Sequence, residues 1–267
     1  MPGSGTTLHT TQVGEAGPLV AFCHGLFGQG KNWTSVARTL AEDGHRCLLV
    51  DMPNHGRSPW RENVDYVAMA DEVAQLFSAD DPVALVGHSM GGKAAMVLAL
   101  RHPELVERLC VVDMSPVAYD GTVEGGFTPY VSAMRSVDLS ALTRRGEADE
   151  QMREGVPSAT IRGFLLQNLR QDRESGTWGW QMNLDALGDH LGVLGGWPED
   201  ALSDLAPYDG PALWVAGAES DYVRAEYAPA MERWFPHVRK VTIKGAGHWV
   251  HSEQPEVFTE VLRRFLR

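Results

Sequence analysis

A serine flanked by glycines is the strongest chemical signal in the sequence. The motif Gly87-His88-Ser89-Met90-Gly91 follows an apolar run at residues 82–86 and leads into a helical pattern at residues 90–103. In that setting a G-x-S-x-G motif predicts a tight strand-to-helix turn that projects the serine hydroxyl. The start of the helix also favours negative charge that develops beside the hydroxyl. We therefore predict Ser89 to be a nucleophile.

A serine hydroxyl attacks only when a neighbouring base removes its proton. His248, in the motif GAGHW beyond the last strand-like run, is the candidate base, because that position lies at the strand tips beside the serine turn. His251 is the nearest rival but falls in the approach to the final helix. We interpret His24, Gly25 and His88 as residues that frame the site, because both histidines lie next to glycines that position the backbone.

Acyl transfer also needs backbone N–H groups directed at the oxyanion of the tetrahedral intermediate. One should be the amide of Met90, directly after the nucleophile. The other should come from the loop after the first strong strand, His24-Gly25-Leu26-Phe27-Gly28. Leu26 is the predicted donor, with Phe27 as the second choice.

The surrounding pattern alternates short apolar runs with helical spacing. Apolar runs of this kind, without polar alternation, are typical of strands covered on both faces. Those runs occupy residues 18–25, 46–53, 82–89, 108–116, 211–217 and 238–245. Helical patterns lie between the runs, and the last one starts on Pro255. Alternation of this kind predicts an α/β fold with a doubly wound, mostly parallel sheet.

The alternation is interrupted between residues 117 and 206, where strand signals are missing and helical patterns dominate. We expect one core domain formed by residues 1–116 and 207–267, with residues 117–206 inserted as a helical cap. Sheets of this type bind ligands at the carboxyl ends of their strands, so a cap there would cover the site. Trp178, Trp180 and Trp197 are interpreted as residues that hold the cap together.

Bulk composition narrows the classes of function. The formal net charge is −12, and no run of Lys and Arg forms a local basic patch, so neither nucleic acid nor an anionic membrane is an expected partner. Three cysteines in apolar runs, Cys23, Cys47 and Cys110, are interpreted as buried small hydrophobes. The N-terminus lacks the features of a signal peptide and no apolar run is long enough to span a bilayer, which favours a cytoplasmic location. The protein is expected to be a monomer or a homodimer. A metal is not expected, because metal-ligand spacing is missing from the sequence.

Several motifs carry a family resemblance over nearly the whole chain. They are HGLFG, DMPNHGRS, GHSMGGKAAM, RHPELVERL, VVDMSP, IRGFLLQNL and GAGHW, in that order. With them the chain resembles the α/β-hydrolase carboxylesterases of the bacterial YbfF type and their mitochondrial relatives. The resemblance implies the α/β-hydrolase fold and a cofactor-free esterase. It also implies short- to medium-chain acyl substrates, including thioesters.

A third group must orient the histidine, and the order Ser–acid–His leaves two candidates. Many α/β-hydrolases place the acid in a D-x-x-V segment, where alignment on Val223 puts Ser220 at the acid position and Asp221 one residue later. A one-residue shift redirects a side chain, so Asp221 is not an equivalent substitute. The resembling esterases carry an aspartate at the position of Asp113 and a serine in the later segment. Asp113 is therefore the predicted acid, with Ser220 as an auxiliary hydrogen-bonding group and Asp221 as the rival.

Together these residues predict a serine carboxylesterase that forms an acyl-enzyme and acts on small acyl esters or thioesters. Two other functions are compatible with the same residues. One is a carbon–carbon bond hydrolase or lactonase that uses the same triad. The other is a ligand receptor with a retained hydrolase site.

Overall fold

A seven-stranded sheet forms the centre of the molecule in the computed structural model, which describes residues 7–119 and 122–267. Its strand order is β1-β3-β2-β4-β5-β8-β9, and β6 and β7 form a separate hairpin. The strands are β1 (Thr10–Val13), β2 (Leu19–Cys23), β3 (Arg46–Val50), β4 (Val83–His88), β5 (Val106–Val112), β6 (Leu169–Gln171), β7 (Trp178–Trp180), β8 (Ala212–Gly217) and β9 (Val238–Ile243).

Six of the seven strands are parallel, which confirms the predicted doubly wound, mostly parallel sheet. Strand β1 pairs antiparallel with β3, with Thr10 opposite Val50. This edge strand was not predicted, because its sequence TTQV contains a single large apolar residue and none of its residues is fully buried. Parallel order brings the carboxyl ends of β2, β4, β5, β8 and β9 to one edge of the sheet.

Twelve α-helices are assigned in the described residues. They are α1 (Thr34–Glu42), α2 (Tyr66–Ala74), α3 (Met90–Arg101), α4 (Thr122–Arg135), α5 (Arg145–Met152), α6 (Ala159–Leu166), α7 (Leu184–Asp189), α8 (Leu191–Gly195), α9 (Glu199–Leu202), α10 (Ala228–Trp234), α11 (Val250–Glu253) and α12 (Pro255–Leu266). Helix α3 is buried over residues 90–100, as expected for the helix that follows the central strand. Helix α12 begins on Pro255, as predicted.

The chain between β5 and β8 contains helices α4 to α9 and the hairpin of β6 and β7. The expectation that residues 117–206 lack strands is therefore wrong, and residues 120–121 of that segment lie outside the described residues. Helix α6 ends at Leu166, because the carbonyl of Asn168 accepts the backbone N–H of Gln181 and β6 then pairs with β7. Strands of only three residues are too short to show the apolar–polar alternation from which a strand is predicted in a sequence. Within the described part of the chain, no helix is long and apolar enough to cross a membrane.

Apolar side chains pack on both faces of the sheet. One cluster includes Leu85 and Val111 and extends into the helices between β5 and β8, while the other includes Phe22, Trp33 and Phe258. Trp178, Trp180 and Trp197 are partly buried against the first cluster. The cysteines Cys23, Cys47 and Cys110 are free and buried, and burial raises the pKa of the first two to about 12.

One lysine is buried inside this apolar framework. The ammonium of Lys93 on α3 donates to the carbonyls of Val117 and Gly195, both at 2.9 Å, and also to that of Gly196. Its nitrogen lies 4.7 Å from the centre of the Tyr119 ring. Burial lowers the pKa of Lys93 to about 7, while three carbonyl acceptors favour the protonated form. Lys93 therefore connects α3 to both ends of the segment between β5 and β8.

Candidate active site

The predicted nucleophile lies on a strained turn between β4 and α3. Ser89 has φ 53° and ψ −121°, is 4% exposed, and donates its backbone N–H to Val112 at 3.1 Å. A side chain at Gly91 would lie 2.5 Å from the carbonyl oxygens of Cys23 and His24, so only glycine permits this approach of the helix to β2. A non-glycine residue in this backbone region is a feature of functional turns.

The imidazole of His248 bridges the serine and a carboxylate. Its Nε2 lies 2.9 Å from Ser89 Oγ, and its Nδ1 lies 2.8 Å from Asp113 Oδ2. The ring packs against Tyr222, with 4.2 Å between ring centres. Because Nδ1 faces the carboxylate, it carries a proton and leaves Nε2 free to accept the serine proton. The geometry is that of a base aligned with a nucleophile.

Asp113 lies directly after β5, fully buried and with φ 51°. Its Oδ1 accepts the backbone N–H of Gly217 at 2.9 Å, and its Oδ2 accepts the hydroxyl of Ser220. Asp221, by contrast, has an 82% exposed side chain that faces Arg224 at 3.6 Å. The structure therefore brings Asp113 and Ser220 to His248, and directs Asp221 into solvent.

The loop after β2 reaches the other side of the serine. Its Phe27 has φ 61° and donates its backbone N–H to Nε2 of His55 at 3.1 Å. This bond occupies the amide that was the second choice for the oxyanion hole. No partner is assigned among the described residues to the amide of Leu26 or to that of Met90, which begins α3. Both residues line the same small cavity beside Ser89.

Two neutral histidines hold this loop in place. Nε2 of His24 accepts the backbone N–H of Met52 at 3.0 Å, so its Nδ1 donates to Gly25 at 2.8 Å. His55 accepts from Phe27 in the same way and donates to Pro53 at 2.8 Å. Burial lowers the pKa of both rings, and that of His55 falls to about 3. His55 was missed by sequence reasoning, although it occurs in the motif DMPNHGRS.

Two further histidines pack around the base. His88 donates its Nε2 hydrogen to the carbonyl of His248 at 2.8 Å, and burial holds its pKa well below the usual value. His251 stacks on Trp33 at 4.1 Å between ring centres, and burial lowers its pKa to about 3. Nδ1 of His251 has no hydrogen-bond partner among the described residues. His88 therefore supports the backbone of His248, whereas His251 does not contact the serine hydroxyl.

Polar side chains from the inserted segment contact the loop after β2. Asn168 donates its side-chain amide to the carbonyl of Phe27 at 2.8 Å and accepts from Gln29 at 2.6 Å. Gln167 accepts from the side chain of Asn32 at 2.9 Å. Both residues belong to the motif IRGFLLQNL but received no role from sequence reasoning. The sequence feature that could have identified them is a pair of adjacent side-chain amides at the end of an apolar helix.

Two cavities meet at Ser89. A cleft that is partly open to solvent encloses about 560 Å³ and is lined by His248, Trp249, Phe164 and Asn32, among others. A second cavity of about 250 Å³ is lined by Tyr66, Met90, Met114, Phe127, Leu194 and Tyr222, with Leu26 and Ser89. Leu26, Ser89 and Phe127 belong to both walls. Among residues 7–119 and 122–267, no cluster of three metal-ligating side chains occurs.

Comparisons with known proteins agree with this geometry. The family model described as the alpha/beta hydrolase fold matches residues 18–255. The mouse protein named sn-1-specific diacylglycerol lipase ABHD11 is 39% identical, across 93% of this chain and 81% of its own. Esterase YbfF of Escherichia coli is 34% identical across 92% of each chain. A solved structure named marine microorganism esterase superposes with a TM-score of 0.91 at 33% identity, covering 97% of this chain and 99% of its own.

These relatives confirm the resemblance to YbfF-type esterases. Their names describe enzymes that cleave ester bonds, and their similarity extends through both the sheet and the inserted helices. The chain therefore belongs to the alpha/beta hydrolase fold family and is a hydrolase acting on ester bonds.

Proposed function

We propose that the protein is a serine carboxylesterase that works through an acyl-enzyme, with Ser89 as nucleophile, His248 as general base and Asp113 as the orienting acid. One observation carries the proposal: a single imidazole lies 2.9 Å from the serine hydroxyl and 2.8 Å from a fully buried carboxylate. Ser220 supports the same carboxylate. The strained backbone of Ser89 and Asp113 is consistent with positions selected for chemistry.

In the first half-reaction His248 Nε2 takes the Ser89 proton as the hydroxyl oxygen attacks the acyl carbon. The amides of Leu26 and Met90 stabilise the oxyanion, and the second is favoured by the start of α3. His248 then returns the proton to the leaving alcohol or thiol. In the second half-reaction water gives its proton to His248 and attacks the acyl-enzyme, which releases the acid and restores Ser89.

The two cavities suggest which side of the substrate each receives. The leaving group must accept a proton from His248, and the attacking water must give one to it. The 560 Å³ cleft includes His248, so we assign it to the leaving group and to water. The 250 Å³ cavity is lined by both proposed oxyanion donors and by apolar side chains, so we assign it to the acyl chain.

The small cavity favours a short to medium acyl chain. The wall of this cavity is formed largely by the bulky side chains of Tyr66, Phe127 and Tyr222, which limit the length of chain that it can hold. We also propose that residues 117–206 act as a cap over both cavities. Support comes from Phe127, Phe164 and Leu194, which belong to this segment and line the cavity walls.

An acyl-chain series tests the proposal. Esters with one leaving group and acyl chains from C2 to C12 should be hydrolysed with a preference for the shorter members, and Ser89→Ala should abolish turnover. The same acyl groups as coenzyme A thioesters distinguish ester from thioester preference. A protein that is inert to every member but cleaves a vinylogous diketone or a lactone would instead support a carbon–carbon hydrolase or lactonase. Slow turnover with tight retention of the ligand would support a receptor.

A further inference from the structure

Four basic residues lie near one another in an acidic protein, beside segments that contact the wall of the leaving-group cleft. They are Lys31, Arg57, Arg145 and Arg170, and they come from four separate parts of the chain. The sequence contains no run of Lys and Arg, so no local basic patch was expected. That expectation is wrong, because the fold rather than the sequence places these residues side by side. We call this group the cationic rim.

Two of the four groups share one acceptor. Arg145 donates to the carbonyl oxygen of Leu169 at 2.9 Å, and Arg170 donates to the same oxygen at 3.2 Å. The two donating nitrogens are therefore no more than about 6 Å apart. A neutral carbonyl does not balance two positive charges, so this pair retains most of its attraction for an anion.

The other two groups are positioned by one carboxylate. Asp51 accepts the backbone N–H of Gly30 at 2.8 Å and that of Arg57 at 3.0 Å, and it also faces His9 at 3.1 Å. These contacts place Lys31, next to Gly30, beside the segment that carries Arg57. Asp51 is the nearby negative group, and it is 8% exposed.

Arg170 connects the two pairs, because its charge acts on Lys31 and the charge of Arg57 acts on Arg170. The pKa of Lys31 is lowered by burial, then by Arg170 and Arg145, while Asp51 opposes the shift. The pKa of Arg170 is lowered by burial and then by Arg145 and Arg57. None of the four forms an ion pair with a carboxylate among the described residues. Each positive charge therefore has unsatisfied capacity for an anionic partner.

The cationic rim adjoins the cleft assigned to the leaving group. Asn32, which follows Lys31, lines the cleft and donates to Gln167 at 2.9 Å. Gln167 lies two residues before Leu169, the shared acceptor of Arg145 and Arg170. The bond between Asn32 and Gln167 therefore connects the wall of the cleft with the two segments that carry Lys31 and Arg170.

We propose that the cationic rim binds a phosphate group carried by the leaving-group portion of the substrate. Clustered guanidinium groups suit this role because their planar N–H pairs match phosphate oxygens. The proposal rests on the proposed function for the orientation of the substrate. Its chemical class is an acyl ester or thioester of a phosphorylated alcohol or thiol, and a coenzyme A thioester and an acylglycerol phosphate are the two sources to separate.

Matched substrate pairs test the rim. We expect kcat/KM for butanoyl coenzyme A to exceed that for the butanoyl thioester of N-acetylcysteamine by about tenfold or more. The same comparison between 1-butanoylglycerol 3-phosphate and 1-butanoylglycerol tests the second source. In the double variant Arg145→Gln/Arg170→Gln, the substrate pair that shows a preference for its phosphorylated member should lose that preference. The value of kcat/KM for the member without phosphate should stay the same. Raising the salt concentration should reduce the preference in the wild type.

A control with the same change of charge is available far from the cleft. Arg239→Gln/Arg264→Gln should keep the full preference, because Arg239 lies on β9 and Arg264 pairs with Glu260 on α12. Lys31→Gln/Arg57→Gln provides a second test in which the bonds to Leu169 remain intact. Equal rates within both substrate pairs, or a preference that survives both rim variants, would overturn the proposal.

A binding measurement keeps this inference separate from the esterase proposal. Calorimetric titration of Ser89→Ala with free coenzyme A, with glycerol 3-phosphate and with inorganic phosphate needs no turnover. We expect either coenzyme A or glycerol 3-phosphate to bind. Its affinity should fall about tenfold or more when Arg145→Gln/Arg170→Gln is added to Ser89→Ala. Turnover of simple esters without this binding would overturn the rim alone, whereas binding without any ester turnover would overturn the esterase proposal. Binding only to inorganic phosphate or to anionic vesicles would also reject a substrate-borne phosphate.

Discussion

Histidines lie on both sides of Ser89, and the two sides use the same ring in opposite ways. On one side His248 faces a hydroxyl and a carboxylate, at 2.9 Å and 2.8 Å. On the other side His24 and His55 have both ring nitrogens occupied by backbone groups. The latter two rings pack with their centres 5.0 Å apart, and burial keeps them neutral.

The difference shows that the partners, not the residue type, determine the role of a buried histidine. A ring that accepts a backbone N–H and donates to a carbonyl has a single satisfactory protonation state, so it serves as a structural connection. A ring between a carboxylate and a hydroxyl can gain a proton and keep both contacts, so it can transfer protons. The contacts of His248 therefore suit a ring that changes its charge, as proposed, whereas the contacts of His24 and His55 suit rings that hold the loop after β2 in one shape.

The largest expected effect is on the side of Ser89 that holds His248 and Asp113. Asp113→Asn should lower kcat by about 10⁴-fold, because an amide cannot stabilise the imidazolium or hold the correct tautomer. Asp221→Asn makes the same chemical change on a side chain that is 82% exposed, and should leave kcat within about twofold. Steady-state kinetics on one short-chain ester measures both. Loss of activity in the Asp221 variant alone would reverse the assignment of the acid.

The loop side should show an intermediate effect. His55→Leu leaves the Phe27 amide without its acceptor and loosens the turn that presents Leu26, so we expect kcat to fall by up to about 10²-fold with little change in KM. His55→Gln retains a side-chain acceptor and should recover much of that loss. His237→Leu is the control, since His237 is 60% exposed and pairs with Asp209. An equal loss of kcat in the Gln variant would argue against positioning through this bond.

The stability of the fold at low pH should depend on the buried histidines that are neutral in the folded protein. The pKa of His55 and His251 is about 3 in the folded protein against 6.5 in the unfolded chain, so the unfolded state binds more protons between these values. The free energy of unfolding should therefore fall as pH drops below about 6.5, by about 2 kcal/mol for each histidine at pH 5.

His251→Phe tests this contribution. The variant keeps an aromatic ring on Trp33 and removes a buried nitrogen that has no partner among the described residues. Urea unfolding at pH 7 and pH 5 should show a smaller acid loss in the variant than in the wild type. An identical loss in the two proteins would show that His251 does not remain neutral because of burial.

The smallest expected effect concerns Ser220. Ser220→Ala removes one hydrogen bond to Asp113, which keeps its bonds to Gly217 and His248. We expect kcat to fall about tenfold, the usual scale for one hydrogen bond to a charged group. Thermal unfolding of the variant should confirm that the fold is retained. A loss as large as that of Asp113→Asn would mean that the hydroxyl is essential to the relay.

Much of the fold was predictable from the sequence. Apolar runs of seven to nine residues located the parallel strands, because strands buried on both faces need little polar alternation. The hairpin of β6 and β7 and the edge strand β1 were missed, since their residues are short runs with mixed burial. Ser89 and His248 were identifiable because their motifs follow strands, and a strand end fixes where the next residue lies.

What the sequence alone determined is therefore local: a strand followed by a glycine-flanked serine, and a histidine after the last strand. Only the tertiary structure decided between Asp113 and Asp221 as neighbours of His248, since a one-residue difference after a strand changes the direction of a side chain. It also decided that His55 occupies the Phe27 amide and that Lys31, Arg57, Arg145 and Arg170 form one rim. Contacts of this kind join residues far apart in the chain, and no local pattern encodes them.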